Sequence, residues 1–360
     1  MKVLVAGHSV NHPRQRMMWQ WIAEQGHQVM VCGPQRWGDE EYKRFRSGSF
    51  TILPQPIASF RHAFHFTMPL LLDVIEQFQP DVLVCFEEPP SVLAYQCSCL
   101  AEMFGLPFVV FTWENLEKIH LPLYSNIERH VLSRAEIVVA GNREAARIMR
   151  LKNHVNVAVL PQSGLNGEMF KPLPTVKVAK RKRKRVLYVG RLVPEKDIEG
   201  ILVAWDRVIK KELSDVELMF VGGRGEEEKK IRAHPDFGKT VLLQPWVKYD
   251  QLPSIYNEAD VVVYPSLDTK EWSEQWGAVC GEALLCEVPV VANLSGALPE
   301  YWKCEDTFFV APGDREALGW KVVEVLKANR LAKAGREHVL KTCSIPVIGE
   351  RYIKLLRRLV

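Results

Sequence analysis

The feature that most constrains this chain is a rhythm that runs twice. A short apolar segment ends in glycine or proline, a helical stretch follows, and another apolar segment begins. In the first run, residues 2–6 lead into Gly7, residues 13–25 read as a helix stopped by Gly26, and 28–32 read as a strand leading into Gly33. Further strands are expected over 81–86, 107–112, 136–140 and 155–160, with helices over 91–104, 127–133 and 143–150. The rhythm breaks where residues 171–175 carry two prolines and 180–185 are six basic residues in a row. It restarts with strands over 186–189, 216–221, 241–243, 261–264 and 289–292, and helices over 198–210, 251–257 and 276–285. Parallel strands need crossover helices. Two such runs therefore specify an α/β chain of two doubly wound, Rossmann-like domains, with ligands beyond the carboxyl ends of the strands and a cleft where the domains face each other.

A length of 360 residues accommodates two domains. Boundaries are expected at 1–170 for the first domain, 171–185 for a linker and 186–344 for the second domain. The 47% apolar and 25% charged content excludes intrinsic disorder as the main state. A net charge of +4 is nearly balanced and does not announce a nucleic-acid binder. The eight cysteines form no Cys-x-x-Cys and no zinc-type array, and read as reduced thiols of a cytoplasmic protein. No apolar run is long enough to span a bilayer. The stretch 348–360 is amphipathic and reads as a surface helix with its apolar face on the core. In 16–22, Trp19 and Ile22 read as core and Trp21 as an exposed anchor.

Two stretches carry the chemistry. Glu274-Gln275-Trp276-Gly277 precedes a helix on which Glu282 lies, with seven residues between the two acids. A helix start offers free N–H groups and the positive end of its dipole to anionic or hydroxyl-rich ligands. A carboxylate accepts hydrogen bonds from vicinal sugar hydroxyls. The other stretch, Gly190-Arg191-Leu192-Val193-Pro194-Glu195-Lys196, follows the first strand of the second run. It brings Arg191 and Lys196 to the carboxyl end of the sheet, where two cations suit a diphosphate. In the first domain, Glu87 and Glu88 stand at a strand end, where carboxylates suit acceptor hydroxyls, although acids and proline also decorate ordinary helix starts. His8, His12 and Arg14 are further donors in the loop that Gly7 opens. The basic run 180–185 reads first as a solvated linker and second as a contact for anionic lipid. It lacks the interleaved aromatics of a nucleic-acid surface.

These residues resemble the family 4 glycosyltransferases, retaining nucleotide-sugar enzymes of the GT-B fold. The resemblance spans nearly the whole chain. It rests on Val189-Gly190-Arg191-Leu192 with Lys196, Tyr264-Pro265-Ser266, the Glu274/Glu282 pair, Pro289-Val290-Val291 and Ser295-Gly296-Ala297-Leu298-Pro299-Glu300. In the first half, Phe111-Thr112-Trp113-Glu114-Asn115 and Leu160-Pro161-Gln162-Ser163-Gly164-Leu165 carry it. It implies that Arg191 and Lys196 bind the donor diphosphate and that Glu282 binds ribose hydroxyls. It also implies that Glu274 holds the donor sugar with backbone N–H groups of Gln275, Trp276 and Gly277, and that the base packs near Trp246 and Val247. Glu114 occupies the place of a histidine found in many relatives and is expected to hold the donor sugar or orient the acceptor. Asn115, His12, Glu87 and Glu88 are acceptor-side candidates. Asp197 and Pro245 stand where relatives often carry glycine.

The resemblance further implies that the tail, about 345–360, crosses back to the first domain. It implies a UDP- or GDP-sugar donor, a glycan, lipid or small-molecule acceptor, and no cofactor. No metal is expected, because no Asp-x-Asp is present and the two cations neutralise the leaving diphosphate. The expected location is the cytoplasm or the cytoplasmic membrane face. A phosphorylase or epimerase of the same fold, or a non-catalytic sugar- or nucleic-acid-binding relative, are the alternatives.

Overall fold

The computed structural model describes all residues except 39, 63, 153, 155, 174–181 and 224. The chain divides into two compact units, Met1–Gly164 with Ser344–Val360, and Leu165–Cys343.

The first unit is built on an eight-stranded sheet. Its strands are β1 (Lys2–Ala6), β2 (Gln28–Pro34), β3 (Phe45–Ser47), β4 (Phe50–Gln55), β5 (Val82–Cys85), β6 (Phe108–Thr112), β7 (Ile137–Ala140) and β8 (Val157–Val159). The order is β8-β7-β6-β5-β1-β2-β4-β3. All neighbours are parallel except β3 on β4. The central strands are apolar throughout because both faces are covered. Val3 and Val5 of β1, Val84 of β5 and Phe111 of β6 join one core; Leu4, Ala6, Leu83, Cys85 and Val110 join the other. Strand alternation thus sends successive side chains into separate cores.

The first of these cores is completed by α1 (Pro13–Glu24) and by the tail helix Ile345–Leu356. Trp19 is fully buried and its ring lies 5.7 Å from that of Tyr352. The Tyr352 hydroxyl donates to the Pro161 carbonyl at 3.2 Å. Trp21, expected as an exposed anchor, is half-buried against Gly349 of the tail helix. A bare Cα is what lets the indole approach so closely.

The second unit holds a six-stranded parallel sheet. Its strands are β9 (Lys184–Val189), β10 (Val216–Val221), β11 (Val241–Gln244), β12 (Val261–Tyr264), β13 (Val290–Asn293) and β14 (Thr307–Val310), in the order β11-β10-β9-β12-β13-β14. This is the Rossmann order, with the switch point between β9 and β12. Loops at the carboxyl ends of those two strands carry Arg191, Lys196 and Glu274.

Several sequence expectations need correction. Residues 165–170 belong to the second unit. Leu165 donates its N–H to Cys343 O at 2.8 Å, and the Phe170 ring packs 5.3 Å from Tyr249 and 6.0 Å from Tyr256. Residues 171–173 are laced to the same unit, with Leu173 N–H donating to Asn257 Oδ1 at 2.7 Å. The basic run is not linker throughout. Lys180 and Arg181 lie outside the described residues, but Lys184 and Arg185 open β9. The register sets Arg185 beside Glu217, to which it is ion-paired at 2.7 Å, and it also pairs with Glu258. The expected helix over 276–285 begins only at Ala278. The sequence reading also missed β3, β4, the helix Leu71–Phe78, and two small antiparallel ribbons, Arg36–Trp37 with Glu40–Glu41 and Ala58–His62 with His65–Thr67.

A Cβ at Gly349 would stand 2.5 Å from the Trp21 ring. Gly349→Val is therefore expected to destabilise the protein by about 1–3 kcal/mol through overpacking. An unchanged denaturant midpoint would refute the close helix contact.

Candidate active site

In the second unit the loop after β9 turns through Pro194–Lys196 into α2 (Ile198–Ala204). Asp197 makes that turn with φ +46°, the left-handed region that glycine ordinarily fills. Its carboxylate offsets the strain by capping α2, accepting the Gly200 N–H at 2.9 Å. Burial raises its pKa, and Arg315 and that N–H counteract the rise. The aspartate thus supports the turn by a cap.

The turn delivers Lys196 into the protein. Its ammonium is buried and donates to Tyr264 Oη at 2.9 Å, Ser266 Oγ at 3.2 Å and Glu274 Oε2 at 2.5 Å. It lies 4.4 Å from the Trp272 ring centre and 4.7 Å from that of Tyr264, a cation–π setting on two sides. Ser266 donates to the same Glu274 oxygen at 3.0 Å. Burial, then the Glu274 charge, holds the Tyr264 hydroxyl protonated far above its usual range. A lysine has three N–H donors, and all three are engaged within this cluster. Arg191 differs. Its guanidinium is exposed and meets Glu195 at 3.3 Å. The two cations are thus not a matched clamp: one is built into the protein and the other faces solvent.

The Glu274 loop is held by glycine at two points. Gly296, at φ +46°, lies so close that a Cβ would stand 2.1 Å from Glu274 O, and the adjacent Ala297 N–H donates to that carbonyl at 2.8 Å. Gly277, at φ +64°, caps α3 (Ala278–Leu285) against Leu298. Trp276 stands before the helix. It is buried beside Tyr301 and Trp302, and its carbonyl accepts the Trp302 indole N–H. Gln275 is half-buried in the same loop. Inside α3, Glu282 is buried and accepts from Tyr249 Oη at 3.1 Å and Tyr256 Oη at 2.9 Å. Burial and the Glu282 charge keep the Tyr256 proton in place. Trp246 is exposed and Val247 half-buried in the segment after β11. The Gly190 N–H is taken by Val221 O at 3.0 Å and continues the sheet.

In the first unit the N–H of Gly7 is likewise taken, by Cys32 O at 3.1 Å. His8 faces Glu87. Its Nδ1 lies 2.7 Å from Glu87 Oε1, and its backbone N–H donates to that oxygen at 2.5 Å. Burial opposes the charged ring, but the charge and hydrogen bond of Glu87, with Glu88 beyond, raise its pKa above 6.5. Glu87 is thereby partnered inside the protein. Glu88 accepts from Thr112 Oγ1 at 2.5 Å and from the Trp113 N–H at 2.8 Å. Burial pushes its pKa from 4.5 up to about 7, against the pull of those two hydrogen bonds.

Thr112 links this group to Glu114, whose N–H donates to Thr112 Oγ1 at 3.0 Å. Glu114 is buried, 3.4 Å from His120 Nε2 and 3.8 Å from Lys152 Nζ, which itself bonds Glu128 at 2.6 Å. Glu114, His120 and Glu128 offer ligand atoms within 4.8 Å of one another, and the Lys152 ammonium stands among them, bonded to Glu128 at 2.6 Å. Asn115 is buried beside Glu114. His12 caps the start of α1, exposed, its Nδ1 accepting the Arg14 N–H.

Sequence reasoning missed Trp272 beside Lys196, Tyr249 and Tyr256 around Glu282, and the His8–Glu87 pair. Tyr264 and Ser266 were legible as neighbours of a strand end. Tyr249 and Tyr256 carry no local signal, because only the packing of their helix on α3 aims them at Glu282.

Comparison with known proteins follows this layout. Residues 12–162 match the glycosyl transferase 4-like domain and residues 171–339 match glycosyl transferases group 1, so the two matches together span almost the whole chain. The chain is 28% identical over 223 residues to the GDP-mannose-dependent monoacylated alpha-(1-6)-phosphatidylinositol monomannoside mannosyltransferase of Corynebacterium glutamicum, covering 57% of each chain. It is 23% identical over 356 residues to the sulfoquinovosyl transferase of Arabidopsis thaliana, covering 89% of this chain and 65% of that one. The matches thus span under two thirds of these relatives' own lengths. Among solved structures, sucrose-phosphate synthase from Thermosynechococcus elongatus superposes with a TM-score of 0.76 at 17% identity, covering 100% of this chain and 99% of that one. HepE of Anabaena, solved in complex with UDP, does so with a TM-score of 0.77 at 15% identity, covering 100% of both. At such identities the likeness concerns the fold. With both halves matched, the sheets in Rossmann order and glycosyltransferases among its relatives, the chain belongs to the family 4 glycosyltransferases of the GT-B fold.

Proposed function

We propose that this protein transfers a sugar from a UDP- or GDP-sugar to a hydroxyl of a glycan, lipid or small-molecule acceptor, with retention at the anomeric carbon and without a metal. The observation that carries this reading is the buried Lys196–Glu274 pair at the carboxyl end of the second sheet, with Glu282 held nearby in α3. A buried ion pair is a poor source of stability and a costly thing to leave half-made, so its place at the switch point of the sheet favours a functional role. On this reading the donor diphosphate arrives beside Lys196 and the exposed Arg191. Lys196 then exchanges its bond to Glu274 for one to phosphate. Glu274 is released to accept from sugar hydroxyls, together with N–H groups at the start of α3. Glu282 accepts from the ribose, its carboxylate oriented by Tyr249 and Tyr256.

In the transfer step the bond from the anomeric carbon to phosphate oxygen breaks and the acceptor oxygen bonds the same face. The acceptor proton passes to the leaving diphosphate. Lys196 and Arg191 stabilise the charge that develops there. Glu114 and Asn115, with Glu88 behind Thr112, are the acceptor-side groups of this reading. The named activities of the mannosyltransferase relative and the UDP complex of HepE support a nucleotide-sugar donor.

Four outcomes are expected. Glu274→Gln and Lys196→Ala each lower transfer by about a hundredfold or more in a radiolabelled donor panel. Lys196→Ala also lowers stability by about 3–5 kcal/mol, because Glu274 is left buried without its cation, whereas the double variant regains much of that stability and no activity. Full activity in either single variant would overturn the assignment. A nucleotide sugar of the right base raises the melting temperature in the presence of a chelator, and transfer persists there; loss of transfer on chelation would refute metal independence. Glu88, whose folded pKa is raised, resists ionisation as pH climbs from about 4.5 to about 7, so stability falls over that window. Glu88→Gln should therefore raise the melting temperature more above pH 7 than below pH 4.5, and equal shifts would refute the burial of a reluctant carboxylate.

A further inference from the structure

The segment between β12 and Glu274 is a closed loop. At its start the Leu267 N–H donates to Glu195 O at 2.9 Å, beside the turn that delivers Lys196. In its middle the Thr269 N–H donates to Trp272 O at 2.7 Å, and the Trp272 N–H donates back to Thr269 Oγ1 at 2.9 Å. That closure sets the Trp272 ring over the Lys196 ammonium. At its end stands Ser273, the residue before Glu274.

Asp268 joins this loop to a second one. Its Oδ1 accepts from Ser273 Oγ at 2.8 Å and from Ser295 Oγ at 2.8 Å, and its Oδ2 accepts the Gly296 N–H at 3.2 Å. Ser273 and Ser295 are buried, so their hydroxyls need a partner within the protein. A carboxylate offers about four acceptor positions, and a bond to an ionised acceptor is roughly twice as strong as a neutral one. Ser295 and Gly296 follow β13. Gly296 is the residue whose bare Cα lies against Glu274 O, and a Cβ there would also stand 2.7 Å from Ser273 Oγ. One carboxylate thus gathers the residue before Glu274 and the turn on which the Glu274 backbone rests. The Glu274 side chain, by contrast, is held by Lys196 and Ser266.

We infer that Asp268 is a positioning residue for the donor sugar. It keeps the Glu274 backbone in place when Lys196 exchanges its bond to Glu274 for one to phosphate. The inference rests on the donor reading given above. Its effect falls on the sugar and not on the nucleotide, because the three bonds of Asp268 go to the segments around Glu274, whereas Glu282 is held by Tyr249 and Tyr256.

The test is calorimetry on the full chain with UDP, GDP and a panel of their hexose conjugates. The quantity read is the affinity for a nucleotide sugar relative to that for its free nucleotide. Asp268→Asn keeps the size and one acceptor oxygen but turns an amide NH2 toward the Gly296 N–H. It should lower that ratio by about tenfold, with the free nucleotide bound within about twofold of the parent. Ser295→Ala should lower the ratio in the same direction by less. In the Glu274→Gln background, Asp268→Asn should lower it little further, because the two residues act as one unit. An unchanged ratio in Asp268→Asn would overturn the positioning role, and so would an equal loss of affinity for nucleotide and nucleotide sugar. A fully multiplicative fall in the Glu274→Gln background would make Asp268 a direct contact and overturn it as well. A parent that binds none of these ligands would overturn the donor reading itself, and the inference with it.

Discussion

Lys196 makes the interactions on which the loops at the carboxyl edge of the second sheet depend. A lone ammonium inside a protein is expensive. Here it is met by a carboxylate, a phenol, a serine hydroxyl and two aromatic faces. Those partners come from β12, from the loop after it and from the segment before α3. One side chain therefore ties the loop after the first strand to the loops after the fourth, across the switch point of the sheet. The left-handed Asp197 and the close approach of Gly296 to Glu274 are the backbone conditions for that tie.

The first unit solves a similar problem with different groups. Its loop after β1 carries few glycines, and the one at position 7 uses its N–H in the sheet. The polar content of the edge is instead a chain of side chains: His8 on Glu87, Glu88 on Thr112, and Glu114 beside His120 and Lys152. Three acids come close together there. Two are balanced by a histidine or a lysine, and the third, Glu88, holds its proton more tightly.

Much of the architecture was legible because parallel strands buried on both faces cannot hide their apolar runs. Residues 2–6, 81–86, 186–189 and 261–264 announced themselves, and the glycine or proline after 2–6, 186–189 and 261–264 gave those strand-to-loop edges. What stayed illegible were elements with mixed composition. The ribbons Arg36–Trp37 with Glu40–Glu41 and Ala58–His62 with His65–Thr67 are too short for a periodicity to mark them. Residues 165–170 carry no boundary signal, and their membership is decided by the Phe170 ring packing on Tyr249 and Tyr256.

By itself the sequence determined the α/β class, the two doubly wound halves, and the acids and cations at their strand ends, because burial period and spacing are local properties. Only the tertiary structure decided what those groups do in the folded chain. It showed Lys196 enclosed and Arg191 exposed, although five residues apart. It also showed Glu87 held by His8 and Glu282 held by two tyrosines. Partners of a buried charge come from distant segments, and which segments meet is set by the packing of helices on sheets.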